Sequence, residues 1–139
     1  MRPSKVELHV FGDTSAKGFG TVCYARYVFP DGKIDVAFVI AKTCVPPLRQ
    51  LSIPCLELQA TLLAVRLADI IKKELTLRMS KTVFWSDSET VLLYILNESR
   101  RFHTFVANRV AKIQDSTQPA QWWFVPGHLN PADDCTWGL

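Results

Sequence analysis

Three strand-forming stretches follow one another before the first helical pattern of the chain. The first, VELHVFGDTS, alternates apolar and polar residues at its start, and this period of two predicts a strand that ends near Asp13. The segment PDGK is typical of a turn, because Pro fixes φ and Gly supplies a positive φ. The stretches GFGTVCYARYVF and IDVAFVIAKT on either side of it predict the next two strands. Together the three predict an antiparallel meander.

The rest of the sequence alternates helical and strand-like patterns. A broad apolar stripe in CLELQATLLAVRLADIIKKEL predicts a long helix, whose start is marked by Ser52 and Pro54. The elements expected after it are the strand KTVFWS, a helix in SETVLLYILNES with Ser86 or Ser88 as its cap, a helix in HTFVANRVAKIQD, the strand QWWFVP and a helix start in NPADDCTWGL with Asn130 as its cap. This order predicts an α/β fold, with a five-stranded mixed sheet flanked by helices.

Size and composition predict one globular domain over residues 1–139. The chain has 139 residues, of which 48% are hydrophobic and 21% charged, so a disordered chain is excluded. The net charge of +3 permits a polyanionic partner without requiring one.

The cysteines and the charged residues indicate an intracellular protein that does not enter a membrane. No C-x-x-C pair occurs among Cys23, Cys44, Cys55 and Cys135, and such a scattered set favours a reducing compartment. Charged residues interrupt both the start of the chain and its most apolar stretch, residues 56–71, so we expect neither a signal peptide nor a membrane span.

Four carboxylates fall at the ends of predicted elements. Asp13 and Asp87 close two strands that can lie side by side and parallel, and ligands bind at such strand ends in open α/β sheets. Glu57 is expected in the first turn of the long helix, and Asp133 in the first turn of the terminal one. Clustered carboxylates stay ionised only beside positive charge, and oxygen ligands suit Mg²⁺ or Mn²⁺. Each acid alone is also compatible with a helix cap or a solvated surface group.

Five blocks of the sequence, in order, resemble the ribonuclease H domain of retrotransposon polyproteins. They are HVFGDTSAKGFGTV, LSIPCLELQATLLAVRLA, VFWSDSETVLLYI, FVANRVAKIQ and WWFVPGHLNPADDCTWG, and they span about His9 to Gly138. The sequence is most similar to BEL/Pao-type elements, in which a reverse transcriptase precedes this domain and an integrase follows it. The resemblance implies the ribonuclease H fold.

The resemblance also implies a set of catalytic metal ligands. These are Asp13, Glu57, Asp87 and Asp133, which would hold two Mg²⁺ ions, with Mn²⁺ as an alternative. Asp13 and Asp87 would contact both ions, Glu57 would orient the attacking water, and Asp133 would bind the ion on the nucleophile side. The family hydrolyses the RNA strand of RNA–DNA hybrids during reverse transcription. His128 resembles a loop histidine of many ribonucleases H that assists the water or the departing product.

The same resemblance suggests substrate contacts and partners. Thr14, Ser15 and Ser88 are similar in position to residues that contact the nucleic-acid strand, although capping is an alternative role for Ser88. The implied partners are an RNA–DNA hybrid and a reverse transcriptase domain of the same polyprotein. The expected location is the cytoplasm, within a retroelement particle, with the nucleus as the second choice.

Two departures from the family pattern affect the expectations. Residues 97–103 are too few to form the basic protrusion of some cellular ribonucleases H, and Trp137 stands where a polar residue is expected. We therefore expect the C-terminal helix to be truncated. The alternative function is an inactive, host-captured domain that binds nucleic acid or protein, and an integrase-like nuclease core is a weaker alternative. The presence of all four acids favours the enzyme.

Overall fold

The computed structural model describes residues 2–15, 18–44, 53–74, 80–96 and 104–132. The elements, in chain order, are β1 (Lys5–Ser15), β2 (Gly18–Val28), β3 (Ile34–Cys44), α1 (Ile53–Glu74), β4 (Lys81–Ser86), α2 (Glu89–Leu96), α3 (Thr104–Ser116) and β5 (Trp122–Phe124), with short 3-10 turns at Pro119–Gln121 and Gly127–Leu129. The predicted α/β fold class is confirmed.

The five strands form one mixed sheet in the order β3-β2-β1-β4-β5. The first three are paired antiparallel, and Gly32 has the positive φ (87°) that the turn between β2 and β3 requires. β4 lies parallel to β1, and β5 lies parallel to β4. The meander and the parallel neighbours agree with the sequence-based prediction.

One face of the sheet packs on the helices and forms the core. Leu8 and Val10 alternate onto this face of β1 and are fully buried, as is Leu58 of α1. Phe84 of β4 and Ile113 of α3 belong to the same apolar cluster. The opposite face of the sheet carries polar and aromatic side chains, which are considered below.

Several predicted boundaries are wrong by a few residues. α1 begins at Ile53 rather than at Cys55, because Pro54 is compatible with the first helical turn, and Glu57 therefore lies in the second turn instead of the first. β1 continues past Asp13 to Ser15, since Asp13 still pairs with Gly20 of β2. The predicted last strand, residues 121–126, is reduced to Trp122–Phe124.

The helices of the described ranges are too short or too polar to cross a lipid bilayer. Cys23 is a buried free thiol and Cys44 is a partly exposed one. The predicted terminal helix starts with Asn130 as its cap and Pro131 in its first turn; residues 131–132 form a turn, and the rest of the predicted helix lies outside the described residues.

Candidate active site

Two acidic residues meet where the parallel strands β1 and β4 end. Gly12 pairs with Ser86 as the last pair between β1 and β4, so Asp13 and Asp87, which follow them, lie at the same end of this parallel pair, although β1 itself continues to Ser15 beside β2. Asp13 is buried, and Asp87 is partly exposed. This placement follows from parallel pairing alone, since parallel neighbours have their carboxyl ends on the same side.

Glu57 reaches this edge from the second turn of α1. It lies one residue away from Leu58, which faces the core, so the carboxylate sits on the border between the core and the solvent. Ser88 Oγ donates a hydrogen bond of 2.6 Å to Glu57 Oε2. Ser88 Oγ also accepts a hydrogen bond from the Val91 N–H at 3.2 Å, so Ser88 is the N-cap of α2. Of the two predicted caps, Ser88 is therefore the one used, while Ser86 Oγ accepts the N–H of Ser88 at 3.1 Å.

These side chains line a shallow pocket that opens to solvent; the space over its lining, open solvent included, is about 180 Å³. Its lining residues are Gly12, Asp13, Thr14, Glu57, Ala60, Thr61, Ser86, Asp87 and Ser88. Three of them are acidic and none is basic. A pocket with this lining favours a cation, because nearby carboxylates repel one another unless positive charge lies between them.

The carboxylates of Asp13, Glu57 and Asp87 are ligands of the type that binds a hard divalent cation, but the three side chains do not form a preassembled metal site. Within the described residues, no group of three or more acidic, histidine or cysteine side chains is close enough together to hold a metal ion. The buried Thr14 Oγ1, in the same lining, has no hydrogen-bond partner in the described part of the chain. A buried hydroxyl without a hydrogen-bond partner lowers the stability of the fold, and a ligand bound in this pocket can supply the missing hydrogen bond.

The loop after β5 completes the edge of the pocket. The Val125 N–H donates to the Ser86 carbonyl oxygen at 2.9 Å, which keeps this loop beside β4. A Cβ atom on Gly127 would lie 3.5 Å from Asp87 Oδ2, so the loop backbone passes close to that carboxylate. His128, the predicted loop histidine, is exposed in the Gly127–Leu129 turn beside this contact.

Asn130 attaches the end of the described chain to the strand that carries Asp13. Its Nδ2 donates to the Gly12 carbonyl oxygen at 2.9 Å, and its Oδ1 accepts the Ala132 N–H at 3.0 Å. The sequence indicated Asn130 only as a cap and gave no sign of the contact with Gly12. Asp133 lies outside the described residues, but the chain that leads to it is fixed next to Asp13.

The remaining predicted residues are placed as follows. Thr14 lines the pocket, and Ser15 is the last residue of β1, with its side chain outside the described part. The structure thus brings Asp13, Glu57, Asp87, Thr14 and Ser88 together.

One known family matches more than half of the chain. Residues 1–88 match the family described as the Pao retrotransposon-like RNaseH-like domain. No curated protein matches the sequence.

Three solved structures with the same fold are ribonucleases H. RNase H1 from the archaeon Halobacterium salinarum NRC-1 superposes with a TM-score of 0.56 at 14% identity, covering 96% of this chain and 94% of that one. LC11-RNase H1, solved in complex with an RNA/DNA hybrid, gives a TM-score of 0.56 at 14% identity over 94% and 92% of the two chains. The N-terminal RNase H domain of a Mycobacterium tuberculosis protein gives 0.52 at 15% identity over 96% and 94%. At these identities the likeness concerns the fold.

Proposed function

Because the chain belongs to the family of Pao retrotransposon-like RNaseH-like domains, we propose that it hydrolyses the RNA strand of RNA–DNA hybrids. In this proposal it serves reverse transcription of a retroelement, with a reverse transcriptase domain of the same polyprotein as its partner. The observation that carries the proposal is a pocket whose described lining includes Asp13, Glu57 and Asp87 and no basic residue. The hybrid bound to LC11-RNase H1, which shares the fold, supports the choice of substrate.

Asp13, Glu57 and Asp87, with Asp133 as the fourth ligand, would hold two Mg²⁺ or Mn²⁺ ions. When bound, such ions lower the pKa of a water molecule and stabilise the charge that develops on the attacking and leaving oxygens. Phosphodiester hydrolysis by this route breaks the bond between phosphorus and the 3′ oxygen of the RNA strand. The products are a free 3′-hydroxyl and a 5′-phosphate.

The protein's own side chains would position the reactants. Ser88 holds Glu57 Oε2 by a 2.6 Å hydrogen bond, which leaves the other carboxylate oxygen, Oε1, to orient water. The Thr14 hydroxyl, without a partner in the described residues, is available to a polar group of the bound strand or of its hydration shell. His128, exposed in the loop beside Asp87, would assist the attacking water or the departing product.

The test is cleavage of matched duplexes with one strand end-labelled. The proposal predicts cutting of the RNA strand of a hybrid in the presence of Mg²⁺ or Mn²⁺, and no cutting of its DNA strand. Duplex DNA and duplex RNA of the same sequence are the controls, because the enzyme must recognise both the 2′-hydroxyl and the hybrid shape. A protein that is folded, binds the hybrid and leaves both strands intact would instead be the inactive binding module considered as the alternative.

A further inference from the structure

A continuous row of aromatic rings crosses the sheet face that points away from the helices. Phe38 of β3 contacts Tyr24 of β2 with ring centroids 6.0 Å apart, and Tyr24 contacts Phe11 of β1 at 6.1 Å. Phe11 stacks on Trp85 of β4 at 5.8 Å, and Trp85 lies 6.4 Å from Trp123 of β5. We call these five side chains the aromatic row. It includes one residue from every strand.

The aromatic row is accessible along its length. The two rings at its ends are the most exposed, Phe38 at 62% and Trp123 at 56%, and the three central rings are partly exposed. Val36, beside Phe38 on the same strand face, is 58% exposed. No described helix packs over these side chains, because α1, α2 and α3 contribute to the core on the other face.

The part of this face that lies next to the aromatic row, at the starts of β1 and β4, carries a net positive charge. Glu7 is buried and accepts a hydrogen bond from Arg26 at 2.9 Å, and Lys81 Nζ lies 3.4 Å from its other oxygen. The basic partners remain exposed, since the side-chain accessibility is 36% for Arg26 and 60% for Lys81, against 8% for Glu7. Lys5, exposed on the same side of β1, adds a further positive charge. The solvent-accessible groups here are therefore cationic, and the Glu7 carboxylate is buried beneath them.

The aromatic row is continuous with the candidate active site. Phe11 precedes Asp13 by two residues on β1, and Trp85 precedes Asp87 by two residues on β4. Side chains two residues apart on a strand share a face, so the rings lie next to the edge from which the acids emerge. A polynucleotide that leaves this edge meets the rings first and the cations after them.

We propose that this aromatic and basic face binds single-stranded nucleic acid. Unpaired bases offer flat surfaces that stack on exposed aromatic rings, and the phosphates are attracted to Arg26, Lys81 and Lys5. A base-paired strand cannot use the rings in this way, because its bases are already stacked inside the duplex. An apolar protein helix would cover the rings but would not match the positive charge that Arg26, Lys81 and Lys5 keep in excess of the single Glu7 carboxylate. The proposal extends beyond hydrolysis and does not require it.

The test is the affinity of the folded chain for fluorescently labelled oligodeoxythymidine, measured by anisotropy. This probe has no ribose, so binding is measured without cleavage. Replacing one end ring, Trp123→Ala or Phe38→Ala, is expected to weaken binding roughly tenfold, because one base–aromatic contact is lost. Ile70→Ala, which removes an equally exposed apolar side chain from α1 (55% exposed), is the matched control and should leave the affinity unchanged.

A second variant tests the contribution of charge. Lys81→Gln should reduce the slope of log affinity against log salt by roughly one phosphate contact. The proposal is overturned if the folded chain does not bind the probe, or if Trp123→Ala and Ile70→Ala bind it equally well. It is also overturned if sedimentation shows that the face pairs two copies of the chain and excludes the probe. Failure of the hydrolase proposal is measured separately, as an uncut hybrid.

Discussion

Ser88 connects Glu57 to the N-terminus of α2, because its Oγ donates to Glu57 Oε2 at 2.6 Å and accepts the Val91 N–H at 3.2 Å. The Ser88 hydroxyl thus caps α2, which stabilises the fold, and also holds Glu57 in the candidate site. The two contributions can be separated experimentally, since stability and activity are measured independently.

Ser88→Ala should lower both quantities. We expect a loss of about 1 kcal/mol in the free energy of unfolding, which is typical of a lost N-cap, and a reduced rate of hybrid cleavage because Glu57 is no longer fixed. Ser88→Thr keeps the hydroxyl and should recover most of both. Denaturant unfolding and the cleavage rate are the measurements, with Ser116→Ala, at the exposed end of α3, as control. A Ser88→Ala enzyme with lowered stability and an unchanged cleavage rate would show that the hydroxyl does not position Glu57.

Divalent cations should stabilise the protein through the acidic pocket. A ligand that binds only the folded state raises the free energy of unfolding by about 2.7 kcal/mol at a concentration one hundred times its Kd. We therefore expect Mg²⁺ or Mn²⁺ to raise the Tm of the wild type and to have a much smaller effect on Asp13→Asn. Asp31→Asn, in the turn between β2 and β3, should respond like the wild type. An equal shift in all three proteins would place the cation elsewhere.

Asn130 should matter for both stability and activity, although it has no part in the chemistry. Its side-chain amide donates a hydrogen bond to the Gly12 carbonyl oxygen and accepts one from the Ala132 N–H, and the residue is only 4% exposed. Asn130→Ala would remove both hydrogen bonds, and a buried backbone group left without a partner costs about 1–3 kcal/mol. The expected activity loss is larger than that cost implies, because the chain leading to Asp133 is released. Asn108→Ala, at an exposed position of α3, is the control, and an equally mild effect of the two variants would contradict this role.

Glu7 should make the stability depend on pH in the acid range. Burial alone would raise the pKa of this carboxyl, but hydrogen bonds from His9 and Arg26 and the charge of Lys81 outweigh it and lower the pKa from 4.5 to about 2. Because Trp85 Nε1 donates to His9 Nδ1 at 3.0 Å, the imidazole proton is on Nε2 and points to Glu7. The folded state therefore holds the charged carboxylate more firmly than the unfolded state does.

The direction of this pH dependence follows from the difference in proton binding by Glu7 between the unfolded and the folded chain. Between about pH 4.5 and pH 2 the unfolded chain binds the Glu7 proton and the folded chain does not, so the stability contributed by Glu7 is complete above this range and is lost as the pH falls through it. Each pKa unit corresponds to about 1.4 kcal/mol. Glu7→Gln should be less stable than the wild type at neutral pH, and the difference should shrink towards pH 2. Glu74→Gln, at the exposed end of α1, should show no such change. A difference that stays constant with pH would exclude this linkage.

Local sequence patterns were sufficient for the fold. The meander, the long helix and the parallel strand that ends at Asp87 all follow from periodicity and turn residues, and parallel strand ends then bring Asp13 and Asp87 to one edge. The start of α1 was misplaced because a proline is compatible with several positions near a helix start. The roles of the acids in catalysis stay predictions.

Long-range contacts could not be predicted in this way. The bond between Asn130 and Gly12 joins residues 118 positions apart, and that between Ser88 and Glu57 joins residues 31 apart. The aromatic row depends on the order and register of all five strands, including the irregularity in pairing between Cys23 and Tyr24. Periodicity tells which face of a strand is apolar, but it does not tell which rings become neighbours.

The most direct test of the central claim compares Asp87→Asn with Asp69→Asn, a matched change on α1 outside the pocket. Both variants and the wild type are incubated with a hybrid whose RNA strand is end-labelled, in Mg²⁺ and then in Mn²⁺, after circular dichroism has shown that each is folded. We predict RNA cleavage by the wild type and by Asp69→Asn, and none by Asp87→Asn. Equal cleavage by all three proteins would show that the acidic pocket is not the active site, and cleavage by none would contradict the proposal that the chain hydrolyses RNA in hybrids.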